Sequence, residues 1–378
     1  MAVSTRSYSR PRDYSKLFIA LAVLAAVVAI APIAAAVLGY GSKVVTPKTA
    51  FASAPSGDYA VLGRSDGDAD VISVAWAANP GAVTELVRVP HLPGFTSTGA
   101  VSPDGKKLAL VSVDGGSPSH PTASLNVVGL ETGLLSRAAV KIAPGQTPVW
   151  DPSGERVVVT RFAGGSDSPG AVSLFSVAAS GKDETLLATF GNALGVYPVG
   201  FASGTNLVSV IIDGNGSRLR VGSKDAGSIS TEITRDWRLS PDGSQLAFIE
   251  SSTANGVQYL ARTISLDGGG DVSAQSLSAA VSALGTAWNP ATKTATFGVE
   301  PGASIPGVSA QALSSAAASA TPGFDVPMGY SGDGQDLLVT RWSGSSFQDP
   351  GKPVLQLVTP DGRTNYDSFT RFYGWSAR

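Results

Sequence analysis

One phrase recurs seven times along this chain, and its spacing constrains the fold more than any other feature. The clearest copies are Val101-Ser-Pro-Asp-Gly-Lys-Lys-Leu-Ala-Leu-Val111 and Leu239-Ser-Pro-Asp-Gly-Ser-Gln-Leu-Ala-Phe-Ile249. Looser copies begin at Ala52, Trp150, Phe201, Trp288 and Tyr330, so successive copies lie 49, 49, 51, 38, 49 and 42 residues apart. A period of about 40–50 residues marks a repeat architecture, in which each unit buries its apolar faces only against its neighbours. Within the phrase an apolar or aromatic residue ends one strand and Ser-Pro-Asp-Gly turns the chain. Pro fixes its own φ and Gly accepts φ > 0, so the reversal is unstrained. The run that follows, such as Leu108-Ala-Leu-Val-Ser-Val113, is short, aliphatic and β-branched, and reads as a strand buried on both faces.

The degenerate copies keep this chemistry. Asp151-Pro-Ser-Gly154 precedes Val157-Val-Val-Thr160, and Asp333-Gly334 precedes Leu337-Leu-Val-Thr340. The Trp288 copy turns at Asn289-Pro-Ala-Thr292, the Phe201 copy keeps only Gly204, and Ala54-Pro-Ser-Gly57 precedes Tyr59-Ala-Val-Leu62. Further strand-and-turn alternations fill the intervals, for example Leu125-Asn-Val-Val128 before Glu131-Thr-Gly133 and Thr263-Ile-Ser-Leu266 before Asp267-Gly-Gly269. Each period therefore has room for four short strands, the content of a propeller blade. The chain ends on Tyr373-Gly-Trp375-Ser376, which looks like the strand that leads into the turn but has no turn after it. The first copy, conversely, has nothing resembling a leading strand. Joining them makes the C-terminal strand the innermost strand of a first blade whose other three strands come from residues 58–90. The ring then buries its last edge.

The Ser-Pro-Asp-Gly-x-x-Leu-Ala phrase resembles the TolB-type, WD-like repeats of bacterial propellers. Similar repeats occur in the propeller of the prolyl oligopeptidase family and in surface lipoproteins of the LpqB type. The resemblance covers roughly residues 50–378 and implies the fold; propellers host binding, scaffolding and catalysis alike, so it implies no single function. The expected fold is all-β: a seven-bladed β-propeller of four-stranded blades over residues 51–378, closed by the C-terminal strand and preceded by one N-terminal transmembrane helix.

That helix is expected over residues 17–38, a stretch of 22 uncharged residues dominated by Ala, Val, Leu and Ile. At 1.5 Å per residue it reaches about 33 Å, enough to cross a hydrocarbon core. Arg6, Arg10, Arg12 and Lys16 precede it against a single Asp13, whereas only Lys43 and Lys48 follow in the tether of residues 39–50. The positive-inside bias places residues 1–16 in the cytoplasm and the propeller outside. A second reading is a signal peptide cleaved near Ala36, because Ala34-Ala35-Ala36 satisfies the small-x-small rule. Both readings export the propeller. With no cysteine in the chain there is no lipobox and no disulfide. The total charge of −2 becomes about −5 once the basic tail is set aside, which argues against nucleic acid as a partner.

Chemistry is sparse. Gly63-Arg-Ser65-Asp-Gly67 fits the Gly-x-Ser-x-Gly pattern, but a strand follows where a nucleophile elbow needs a helix. The two histidines, His91 and His120, stand beside prolines and read as solvated loop residues. Asp66, Asp68 and Asp70 have the 1-3-5 spacing of a calcium loop, without its sixth-position Gly or twelfth-position Glu; Asp213-Gly-Asn215-Gly-Ser217 is a weaker copy. Both read first as hairpin turns. Calcium at Asp66, Asp68 and Asp70 is the one cofactor the sequence offers. Asp104, Asp242 and Asp333 occupy equivalent turns of different blades and have a structural role. Trp150, Trp288, Tyr330 and Trp375 share one repeat position, where they either pack between blades or face a ligand in the central channel. Residues 301–322, rich in Ala, Ser, Gly and Pro, look like a low-complexity insert in the sixth repeat.

The leading expectation is a non-catalytic module that binds or scaffolds a protein or envelope component. The alternatives are a hydrolase or lyase acting on envelope polysaccharide or peptide, and a sensory partner of another membrane protein. An enzyme requires ionisable side chains converging in the channel; a binding module requires exposed apolar side chains on one face.

Overall fold

The turn phrase folds through one hydrogen-bond pattern, repeated. The Ser102 hydroxyl donates to Asp104 Oδ1 (2.5 Å), the Lys106 N–H donates to the same oxygen (3.1 Å), and the Lys107 N–H donates to Ser102 Oγ (2.9 Å). Ser240 with Asp242 and Ser331 with Asp333 repeat it, their hydroxyls donating at 2.7 and 2.6 Å. In the Trp150 copy Asp151 takes the serine's place and accepts the Glu155 and Arg156 N–H groups directly. Gly105, Gly154, Gly243 and Gly334 all sit at φ of 70–74°, the left-handed region that glycine enters without strain. Burial acts to raise the Asp104 carboxyl, but the bonds from Ser102 and Lys106 outweigh it and hold its pKa low. Asp242 is held low by Ser240 and Ser244, and Asp333 by Ser331 and Gln335.

The computed structural model describes Phe51 and residues 54–117, 119–162, 171–253, 257–266, 275–276, 282–301 and 323–378. The expected tail, membrane segment and tether (1–16, 17–38 and 39–50) and nearly all of the 301–322 insert lie outside these residues. Among the described residues no helix is long and apolar enough to cross a membrane.

The described residues form an all-β propeller. Six antiparallel sheets have four strands and one has two. In chain order the innermost strands are Thr98–Val101, Val149–Trp150, Gly195–Ala202, Thr234–Leu239, Ala283–Asn289, Phe324–Tyr330 and Arg371–Ala377. The last pairs with Asp58–Asp66, which continues into Ala69–Trp76 and Asn79–Pro90. The C-terminal strand thus completes the first blade. The expectation of seven four-stranded blades is corrected at the Trp288 repeat: among the described residues six sheets have four strands, and this one pairs only Ala283–Asn289 with Thr294–Val299. Residues 302–322, which follow this pair, lie outside the described residues.

The core lies between sheets. Each of seven buried clusters among the described residues is shared by two neighbours. Val61 and Ile72 of the first blade meet Leu108 and Leu110 of the second, Val208 and Leu219 meet Leu246 and Phe248, and Ala287 of the two-stranded sheet meets Leu337 and Val339. The last blade's Leu338, Leu355 and Leu357 pack on Ala60 and Leu62 of the first. Every sheet is therefore apolar on both faces, as the continuous aliphatic runs require.

Ring closure rests on Arg371–Ala377. Tyr373 is buried in the cluster between the first two blades, and Trp375 in the cluster between the last and the first. The Ser376 hydroxyl donates to the Gly105 carbonyl (2.5 Å), and a Cβ on Gly105 would come within 2.7 Å of the Ala377 nitrogen. Removing residues 371–378 exposes both faces of the gap. The truncated chain is expected to lose its single cooperative urea transition, and a peptide of residues 371–378 added in trans to restore it in part. A truncated chain that unfolds like the full one would show that closure contributes little.

Candidate functional site

The innermost strands carry a second repeated feature, one that the sequence pattern does not announce. In five of them the pairing slips: between Pro198 and Gly200, Arg235 and Arg238, Leu284 and Thr286, and Pro327 and Gly329 on four strands, and opposite Val61/Leu62 on the C-terminal one. A bulge re-aims the side chains beside it. At two consecutive bulges Asp236 and Gly285 adopt φ of 55° and 68°. The Asp236 carboxylate accepts the Gly285 N–H (3.2 Å) and its carbonyl accepts the Thr286 hydroxyl, so the two strands are held together there.

These bulges open a cleft of about 270 Å³ between Thr234–Leu239, Ala283–Asn289 and Phe324–Tyr330. Arg235, Asp236 and Arg238 line it from the first strand, Leu284, Gly285 and Thr286 from the second, and Val326, Pro327 and Met328 from the third, with Trp342 of the strand beside it. Its charges are unequally matched. Arg235 lies 4.5 Å over the Tyr259 ring and 3.9 Å from Asp236, with its Nε unpartnered. Arg238 makes no ion pair among the described residues; its only hydrogen bond as donor is a long one to the Trp237 carbonyl (3.4 Å). The side chain keeps solvent access, yet crowding by protein lowers its pKa against the pull of Asp236. It stays charged at neutral pH, as arginine does. Neighbouring Asp325 neutralises neither cation, being held by Arg341 (3.3 Å) and Arg363 (2.7 Å).

The residues singled out in sequence fall elsewhere. Trp150, Trp288 and Trp375 each donate their indole N–H to a carbonyl on the preceding innermost strand: Ala100 (2.8 Å), Arg238 (2.9 Å) and Gly329 (3.1 Å). Tyr330 shares a hydrogen bond with the Thr296 hydroxyl of the preceding sheet, and burial raises its pKa. All four tie one sheet to the one before it. Asp66 pairs with Arg88 (2.7 Å), Asp68 is exposed on the hairpin turn, and Asp70 is fully buried, so the three carboxylates diverge. No group of three His, Asp or Glu side chains able to hold a metal occurs among the described residues. Asp213 accepts the Asn215 N–H and Arg218 Nε, a hairpin turn.

His91 is a correction. It is 5% exposed rather than solvated, because its loop folds back over the first blade. Its Nδ1 donates to the Leu92 carbonyl (2.8 Å), since a carbonyl can only accept. Its Nε2 then faces both Asp70 Oδ1 (3.3 Å) and Ser65 Oγ (3.4 Å). A Ser-His-Asp relay needs the carboxylate on one ring nitrogen and the hydroxyl on the other. Here both crowd the same nitrogen, while Asp70 also holds Arg371 and the Ser97 N–H. The arrangement fastens the C-terminal strand to the loop joining the first two blades. Gly63 of the Gly-x-Ser-x-Gly match has its own packing reason, because a Cβ there would lie 2.6 Å from the Tyr373 hydroxyl. His120 is exposed beside Ser119.

An acidic group lies where the last blade meets the first. Burial pushes the Asp336 carboxyl up to about 6, and Asp333, Asp58 and Asp361 add to the rise. Burial, then Asp333, also raises Asp58.

No family model matches the chain, and no curated protein matches it. Solved structures do. Prolyl oligopeptidase B from Galerina marginata is similar over 85% of this chain and 50% of its own, at 12% identity and a TM-score of 0.54. A protein from Bacteroides uniformis solved as a candidate 6-phosphogluconolactonase is similar over 85% of this chain and 99% of its own, at 11% identity and 0.52. TolB from Acinetobacter baumannii is similar over 85% and 67%, at 13% identity and 0.49. The chain spans about half the length of the oligopeptidase. At these identities the likenesses show the fold, a β-propeller, and nothing finer.

Two measurements follow from this geometry. Trp150→Phe removes one interblade hydrogen bond and is expected to cost about 1 kcal/mol, whereas Trp150→Ala leaves a cavity and costs about 3–5 kcal/mol in urea unfolding. A Trp150→Phe variant as stable as the parent would assign the indole N–H no role. A carboxyl whose folded pKa is raised contributes stability below its unfolded value of 3.8 and loses it as pH rises toward 6. Asp336→Asn escapes that loss, so it is expected to stabilise by about 1 kcal/mol at pH 7, after allowing for solvent screening, and by nothing at pH 3. A gain independent of pH would refute the assignment.

Proposed function

We propose that this protein is a membrane-anchored, extracytoplasmic β-propeller of TolB type that binds another protein or an envelope component without catalysing a reaction on it. In this reading residues 17–38 span the membrane with the N-terminus in the cytoplasm, and the two-stranded sheet holds the place of a seventh blade. The observation that carries it is the placing of exposed apolar side chains. Leu194 and Ile233 are 69% and 60% exposed, and each stands immediately before the innermost strand of its blade. The Leu194 N–H donates to the Ile212 carbonyl and the Ile233 carbonyl accepts the Ser251 N–H, so both side chains sit at the end of the ring where innermost strands begin. Large aliphatics left in water at the same end of consecutive blades favour a surface that a partner covers. Ser65 and His91, which the fold brings together, are arranged for fastening rather than proton relay, which supports a binding role over the hydrolase alternative.

The test compares crosslinked membranes from cells carrying the full chain and the Leu194→Asp/Ile233→Asp variant. The full chain is expected in the membrane fraction with a crosslinked partner of defined mass, and the variant to lose that adduct while unfolding normally. Turnover of an envelope polymer with no adduct would overturn the reading. If replacing residues 17–38 by a cleavable signal leaves the adduct unchanged, the anchor has no part in assembly.

A further inference from the structure

The cleft between Thr234–Leu239, Ala283–Asn289 and Phe324–Tyr330 differs from the rest of the surface in its unspent charge. Elsewhere the arginines of the sheets are engaged: Arg88 by Asp66 and Glu85, Arg156 by Asp183, Arg218 by Asp213 and Asp225, Arg262 by Glu250, and Arg220, which has no ion pair among the described residues, by the Phe190 ring and the Gly222 carbonyl. Arg238 has no such partner among the described residues, and it lines a cleft together with Val326, Pro327, Met328 and Trp342. Its backbone is also the best fixed on its strand: its carbonyl is taken by the Trp288 indole (2.9 Å), and the bulge beside it is held by Asp236 with Gly285 and Thr286. A left-handed aspartate in an exposed bulge is strained, and such strain persists where surrounding contacts over-determine it, commonly at binding sites.

From this geometry we infer that the cleft is a recognition site for a single carboxylate borne next to an apolar group, with Arg238 as the charged anchor and Trp342 and Met328 as the apolar wall. The guanidinium fork matches a carboxylate bidentately. Asp236, 3.9 Å from Arg235, offsets one of the two cations and leaves one positive charge unmatched, which suits a monoanion better than a dianionic phosphate. The volume of about 270 Å³ accommodates one side chain with its neighbour, not a folded domain. Two sources present this chemistry: an acidic side chain beside an apolar one on a partner protein, and a free sugar acid. The first rests on the reading of the propeller as a protein-binding module and names what the partner inserts.

The probes are the peptides acetyl-Leu-Glu-Leu-amide and acetyl-Leu-Gln-Leu-amide, and glucuronate, titrated into the full chain and followed by tryptophan fluorescence. The Glu peptide is expected to bind about tenfold or more tightly than its Gln counterpart, the gain of a charge-assisted over a neutral hydrogen bond. Arg238→Gln is expected to abolish that preference with unfolding unchanged, and Trp342→Ala to weaken both peptides. Saturable glucuronate binding that also depends on Arg238, with neither peptide bound, would keep the carboxylate site and assign it to a sugar acid. Equal affinity for the Glu and Gln peptides, a preference that survives in Arg238→Gln, or binding of none of the three probes would overturn the inference. The membrane crosslinking separates this from the broader proposal. An adduct that survives Arg238→Gln leaves the binding module standing and removes this site from it, and Arg238-dependent peptide binding without any adduct does the reverse.

Discussion

Every sheet in this protein is apolar on both faces, and almost everything else follows from that. A strand such as Leu246–Ile249 is fully buried, Leu246 and Phe248 toward the fourth blade and Ala247 and Ile249 toward the two-stranded sheet. Such a sheet cannot stand alone in water, because burying a large aliphatic or aromatic side chain contributes about 1.5–3 kcal/mol that an isolated blade forfeits. It needs two neighbours, and its neighbours need two more, so the only arrangement without an exposed apolar face is a closed ring. The C-terminal strand is where this requirement is met last. Tyr373 fills one interface of the first blade and Trp375 the other, so a strand of seven residues completes two cores at once.

Much of this was legible in the sequence because the turn chemistry is local. Ser-x-Asp-Gly closes its own hydrogen bonds within six residues, so the phrase marks the same turn whatever surrounds it. The orphaned strand at Trp375 was legible for the same reason: a leading strand without its turn has to borrow one. The two-stranded sheet was not, because the Trp288 copy preserves the turn and the first pair of strands, and nothing in that phrase reports on the two strands expected after it.

The candidate site was largely illegible, and the cause is physical. Sequence reading finds chemistry by spacing, and here spacing misled: Asp66 stands opposite Ala69 and Asp70 opposite Ser65 across the turn that holds Asp68, so Asp66 and Asp70 leave on opposite faces. His91 stood beside a proline like any loop residue, and its burial depends on Asp70 and Arg371, the latter some 280 residues further along the chain. Arg238 follows Trp237 in a strand of ordinary composition. It acquires significance only because a bulge turns it toward a cleft that two other sheets complete. The one local hint was Asp236: aspartate is among the few residues that tolerate φ > 0, but a sequence does not say which aspartates use that tolerance.

Bulges also explain how a rigid ring carries a functional surface at all. In a fully paired strand, successive side chains alternate between one interface and the next, as Leu246 and Phe248 do against Ala247 and Ile249, and none is left for a ligand. Inserting one unpaired residue breaks that alternation at a single point. The strand keeps its hydrogen bonds on either side, the core keeps its packing, and the re-aimed side chain faces the axis. Five innermost strands carry such a slip, and at Asp236 and Gly285 two consecutive strands bond to each other from bulge to bulge. That cross-strand bond fixes the separation of the two backbones where the cleft opens. The cleft and the unmatched guanidinium therefore coincide at a pair of bulges that are bonded to each other.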